Sequence, residues 1–108
     1  MAQDFERHIA RATGTGAATL FTSNSDDAVI SIRLANIVAA SIVVDVYISS
    51  GGADYYLVKG ITIPNGSSVE LIDGASRFVV ESGDALKVVS DTASSLDTWV
   101  SVVDAISA

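Results

Sequence analysis

The chain has 108 residues, with 13 acids against 6 Lys and Arg, one His, no Cys, one Pro and 49% apolar residues, for a formal net charge of −7. That length fits one domain, and the lack of Cys excludes disulfides, thiolate nucleophiles and Cys-based zinc or iron–sulfur sites, while a lone His8 excludes multi-histidine metal centres. Six scattered bases in an acidic chain also argue against nucleic acid as a partner, because phosphate binding needs clustered Lys and Arg.

At the N-terminus, Asp4, Glu6, Arg7 and Arg11 fall where a signal peptide needs an apolar stretch, and no apolar run approaches the ~20 residues of a spanning helix. A soluble, non-secreted chain with no membrane partner is the expectation. Phe5, Ile9 and Ala12 recur at helical spacing, but an extended arm fits the same residues equally. Gly14 to Ala18 is small enough to act as a hinge, which divides the chain into an N-terminal arm over 1–18 and a β domain over 19–108.

Thr19 to Thr22 reads as a short strand with Leu20 and Phe21 on opposite faces, broken by Ser23-Asn24-Ser25-Asp26-Asp27. In Ala28 to Ile37 the apolar face is Ile30, Ile32 and Leu34, opposite Ser31, Arg33 and Ala35. Ile42 to Ile48 turns Ile42, Val44, Val46 and Ile48 inward and Val43, Asp45 and Tyr47 outward. Ser49 to Ala53 is a glycine turn into Asp54 to Lys59, where Tyr55 and Leu57 oppose Tyr56 and Val58. Pro64-Asn65-Gly66 turns the chain into a short strand, Val69 to Ile72, and Asp73-Gly74-Ala75 turns it again. Arg77 to Val80, the Ser82-Gly83-Asp84 turn and Ala85 to Ser90 form a hairpin. Leu96 to Ile106 closes the series, with Thr98, Val100 and Val102 opposite Trp99, Ser101 and Val103. About eight short strands with regular turn signals predict an all-β fold: an antiparallel β-sandwich, jelly-roll-like, with a short N-terminal arm.

Little in this pattern supports catalysis. Asp26-Asp27, or Asp45 with Asp54, could be nominated as paired carboxylates for glycoside hydrolysis, but adjacent Asp in a Ser/Asn loop ordinarily caps a turn. Asn24 to Asp27 does not match a calcium loop, no G-x-S-x-G elbow accompanies the Ser, His and Asp of a triad, and Gly14-Thr15-Gly16 lacks the Lys of a phosphate loop. No catalytic residue, cofactor or metal is therefore assigned. Tyr55-Tyr56 suggests a stacking platform, yet neighbours in a strand face opposite ways, so one ring is expected in the core. Phe21 and Phe78 read as sandwich filling, whereas Trp99 shares a face with Ser101 and suits an interface rim. Arg7, His8 and Arg11 form the only basic cluster, suited to an acidic neighbour. The candidate interface is Phe5, Arg7, His8, Arg11, Val43, Tyr47 and Trp99.

The order of strings Val29-Ile30-Ser31-Ile32-Arg33-Leu34-Ala35-Asn36, Val43-Val44-Asp45-Val46-Tyr47-Ile48, Asp54-Tyr55-Tyr56-Leu57-Val58-Lys59, Ile63 to Leu71 and Glu81 to Val88 resembles small virion structural proteins of tailed bacteriophages, particularly marine and cyanobacterial ones. The resemblance spans about Ile9 to Ile106. It implies a β-sandwich behind a short arm, built into particles in many copies as capsid decoration or as tail and baseplate components, with no catalytic residues to carry over.

The expected function is a non-enzymatic virion protein, a capsid decoration or cement subunit assembled in the host bacterial cytoplasm. Its partners would be major capsid or tail proteins and copies of itself, in a homo-oligomer such as a trimer. A tail, neck or baseplate component is the close rival, and a carbohydrate-binding module for host-surface attachment is the alternative of another class.

Overall fold

The computed structural model describes the backbone of residues 4–104, and their side chains except at 4, 72–77 and 104. In chain order the strands are β1 (Asp4–Thr13), β2 (Ala18–Thr22), β3 (Asp27–Asn36), β4 (Ile42–Ser50), β5 (Ala53–Ile63), β6 (Ser68–Val80), β7 (Ala85–Ser90) and β8 (Leu96–Asp104). They pair antiparallel in two four-stranded sheets, β1-β8-β3-β6 and β2-β7-β4-β5. That order is the double Greek key of a jelly roll, so the fold is an all-β sandwich as the alternation predicts.

The core follows from aliphatic, mostly β-branched residues at alternate positions. Ile32, Leu34, Val100 and Val102 of the first sheet and Ile42, Val44, Val46, Leu86 and Val88 of the second are all 0% exposed. Burying one such side chain is worth about 1.5–3 kcal/mol, and the branched chains lose little rotamer freedom in strands.

Bulges correct the phase at several places. Val29 pairs with Val102 and Ser31 with Ser101, so Ile30 is the extra residue, and Val29 takes the buried position expected for Ile30. Thr19 pairs with Lys87 and Phe21 with Leu86; Leu20 is extra there, and both Leu20 and Phe21 are buried rather than facing opposite ways. Val44 pairs with Ile61 and Asp45 with Lys59, leaving Gly60 extra at φ +82°, its N–H donating to Asp45 Oδ1 at 2.7 Å. Only glycine adopts that backbone cheaply, so Gly60→Ala should destabilise the domain by about 1–2 kcal/mol in urea unfolding, although a Cβ there would meet only an ordinary van der Waals contact, 3.9 Å from Val43 Cγ1.

The expected turn at Asp73-Gly74-Ala75 is instead an irregularity within the long strand β6. Ser31 pairs with Asp73 and Val29 with Phe78, so the intervening residues loop out of register without ending the strand.

The segment expected to be a separate arm is also different. Neither helix nor free arm, Asp4–Thr13 is paired along β8 at the sheet edge, Phe5 opposite Val103 and Ile9 opposite Trp99. The intended hinge is tied down too: the Thr13 and Gly14 carbonyls accept from Ser95 N and Ser90 N at 3.0 Å each, and a Cβ on Gly14 would lie 3.1 Å from Ser94 N. A Cβ there would press on the backbone of the Ala93–Ser94 loop, which would have to give by a few tenths of an ångström.

Candidate functional site

The register arranges the outer face of the first sheet into rows. Phe5, Val103, Ala28 and Val79 lie across one row; Arg7, Ser101 and Ser31 across the next; Ile9, Trp99, Arg33 and Glu70 across the third. Phe5 is 82% exposed, Val79 57%, Ile9 53% and Trp99 48%, so one face carries four of the eight large apolar side chains that the fold leaves uncovered among the described residues. Clustered exposed apolar area of this kind marks an association surface, whereas single exposed apolar residues need no explanation.

The same face holds three of the six Lys and Arg. The Arg7 guanidinium lies 5.2 Å from the Trp99 ring centroid. Arg33 meets Glu70 at 2.8 Å, and Ser31 Oγ donates to the same carboxylate at 2.7 Å. Arg11 has no ion pair or hydrogen-bond partner for its side chain among the described residues.

Between β1, β8 and β3 a hollow of about 340 Å³ opens beside the indole, walled by Ile9, Ala35, Trp99, Arg11, Arg33 and Asp97. Its shape comes from an irregularity in β1 between Ala10 and Thr13, where Ala12 takes φ 55° and its N–H donates to Asp97 Oδ1 at 2.8 Å. Left-handed backbone at a non-glycine residue costs about 1–2 kcal/mol, which the Asp97 clamp and the flanking β8 pairing offset. Thr98 borders the hollow from the core side, and its buried Oγ1 has no partner among the described residues. Thr98→Val, which keeps the shape and removes the unpaired hydroxyl, should raise stability by about 1 kcal/mol in thermal or urea unfolding.

Of the expected interface residues, Phe5, Arg7 and Trp99 come together on this face and Arg11 sits at the hollow. His8 does not join them: adjacent strand residues point opposite ways, and its ring stacks on Phe21 at 4.4 Å, 12° from parallel, with Nε2 3.8 Å from Glu6. Val43 and Tyr47 lie on the other sheet. Val43 is 37% exposed, but Tyr47 is only 9% exposed and is no part of an open patch. The Tyr56 ring covers it at 5.0 Å, and the Lys59 ammonium lies over Tyr56 at 4.4 Å. Burial pushes the Tyr47 phenol pKa up, and Asp54, Tyr56 and Asp45 push it the same way.

Tyr55 and Tyr56 correct a further expectation, for neither is in the core: they are 62% and 45% exposed. Leu57 is an extra residue between the Val46–Val58 and Tyr47–Tyr56 pairs, and β5 is the flanking strand of its sheet. Ile9, Arg33 and Val79 join the surface unannounced. Once β1 is a strand, the alternation of Phe5, Arg7 and Ile9 supplies the signal that helical spacing obscured.

Two of the carboxylates nominated for chemistry, Asp27 and Asp45, have structural partners. Asp27 is 4% exposed, with Oδ2 2.8 Å from Ser23 Oγ and Oδ1 accepting from Ser25 Oγ at 2.9 Å, which closes the β2–β3 turn. Asp45 holds the Gly60 bulge. Among the described residues no group of three or more His, Asp or Glu is placed to hold a metal ion.

Asp91 fastens a loop. Its carboxylate accepts from Val43 N at 3.0 Å and from the Thr92 hydroxyl at 2.9 Å, and these bonds, the Val43 one foremost, hold its pKa below the ordinary carboxylate value. The unfolded chain therefore takes up this proton first as pH falls. The stability contributed by Asp91 should be complete above about pH 4 and disappear below it, so the gap between wild type and Asp91→Asn should shrink on acidification.

No family model matches the chain, and no curated protein matches it. A solved structure described under the words "Bacillus endospore appendages form a novel family of disulfide-linked pili" resembles it in fold, with a TM-score of 0.55 and 21% identity over 98% of this chain and 88% of the other. That likeness concerns the fold. The present chain has no Cys with which to form a disulfide.

Proposed function

We propose that this protein is a non-enzymatic structural subunit that assembles with copies of itself and with neighbouring proteins through the outer face of β1-β8-β3-β6. The observation that carries the reading is the grouping of Phe5, Ile9, Val79 and Trp99, exposed and apolar, on one regular sheet face. A rigid sandwich presents such a face at little ordering cost, and many weak contacts between repeated subunits add up through effective concentration. The fold likeness to an appendage protein is compatible with a structural role. The phage resemblance of the sequence makes the finer reading a virion component, capsid decoration first and tail, neck or baseplate second.

The test is the pair Phe5→Asp and Trp99→Asp, both exposed, in one chain checked for native far-ultraviolet circular dichroism. Mass photometry should then find monomers where wild type forms oligomers; unchanged oligomers would overturn the reading. Image reconstruction of an intact particle addresses the finer claim, with density on the capsid expected and absence from head and tail contrary to it.

A further inference from the structure

We infer that the Trp99 hollow of one copy receives the Asp54–Tyr55 tip of a second copy, so that subunits join head to tail. This rests on the assembly reading above and names the partner of that surface.

The two halves match in chemistry. The hollow offers an indole wall, aliphatic sides from Ile9 and Ala35, and the Arg11 guanidinium, which has no partner of its own among the described residues, while its one carboxylate, Asp97, accepts from the Ala12 N–H. It therefore suits an apolar ring that carries a carboxylate beside it. The β4–β5 hairpin presents that pair: Gly51 and Gly52, at φ 60° and 86°, make the turn, and exposed Asp54 and Tyr55 follow. Tyr55, at 62%, is the most exposed aromatic residue after Phe5. A tyrosine gives large contact area for two rotatable bonds, so fixing it costs little entropy.

They also lie where one copy cannot satisfy both. β1, which carries Ile9 and Arg11, flanks the first sheet and lies over β2, whereas β5 flanks the second sheet on the opposite side. Along the strands, the hollow adjoins the end where β1 leaves for β2. The β4–β5 turn is at the other end, because Ser49 pairs with Ala85, whose other neighbour Thr22 ends β2. The halves thus occupy diagonal corners of a body 45 Å long. Two different patches joining in this way make a heterologous contact, which repeats into a ring or an open filament.

The alternative self-contact is a symmetric one with Trp99 against Trp99. It would set Arg7 and Arg11 of both copies face to face, and like charges brought together oppose it. A glycan is a poorer occupant as well, since the walls supply few groups to satisfy its hydroxyls.

The experiment mixes two single variants of the full chain, Tyr55→Ala and Trp99→Ala. Each alone lacks one half of the contact and should sediment as a monomer. The equimolar mixture retains one intact hollow and one intact tip, so it should form heterodimers and nothing larger. Trp99 of the Tyr55→Ala chain is then the sole tryptophan in solution. Its emission should shift to the blue when the Trp99→Ala chain is added, and a basic substitution, Asp54→Lys, in that added chain should abolish the shift. If Trp99→Ala abolishes assembly while Tyr55→Ala assembles like wild type, or the mixture stays monomeric with unshifted emission, the head-to-tail contact is wrong and the association face stands. If Trp99→Ala assembles like wild type, the association face itself falls. A shift produced by monosaccharide alone, without Tyr55, would assign the hollow to a glycan instead.

Discussion

Asn36→Asp is expected to cost about 3 kcal/mol or more of folding stability, because it reverses the polarity of a fully used buried amide. Asn36 is 5% exposed at the end of β3. Its Nδ2 donates to the Ala40 and Ile63 carbonyls at 2.8 and 2.9 Å, and its Oδ1 accepts from Val38 N at 2.9 Å. One side chain thus shapes the β3–β4 loop and anchors the end of β5 across the sandwich. The aspartate has almost the same shape but no hydrogen to donate, so two carbonyls lose their partner and confront a buried negative charge. Urea unfolding at neutral pH is the measurement, and a loss below about 1 kcal/mol would show that the loop closes without the amide.

Leu34→Ala should be comparably severe, at about 2–5 kcal/mol, since a side chain with no exposure is removed from between two sheets that cannot close over the gap. That is a large part of the 5–15 kcal/mol that domains of ordinary stability possess. The contrast lies one strand row away on the outside. Ile9→Ala, at a residue 53% exposed, should change stability by no more than about 0.5 kcal/mol while weakening assembly. A variant set that failed to separate these two effects would mean that the outer face belongs to the fold and not to association.

What the sequence discloses here is whatever period two can express. Ile42, Val44 and Val46 against Val43 and Asp45, and Val100 and Val102 against Trp99 and Ser101, have the faces that alternation predicts. The all-β sandwich class follows from the number and spacing of such segments. Bulges escape this reading because they are properties of a pair of strands: nothing local to Ile30 says that Val102 and Ser101 will skip it. The status of β1 escapes for the same reason. Phe5, Ile9 and Ala12 suit a helix until β8, ninety residues further on, supplies the hydrogen bonds that make a strand better. Tyr47 illustrates the site-level version. Its outward direction is legible, but its burial depends on Tyr56 arriving opposite it, which the extra residue Leu57 arranges. His8 and Trp99 divide correctly only once β1 is known to be pleated.

The most direct test of the account is sedimentation velocity of the unmodified chain across a roughly hundredfold range of concentration, where mass action must reveal any self-association. Species growing in size with concentration, and retreating to the monomer with Trp99→Asp, are the predicted result. A single monomer boundary throughout, alike for both proteins, would contradict the assignment of this sheet face to assembly.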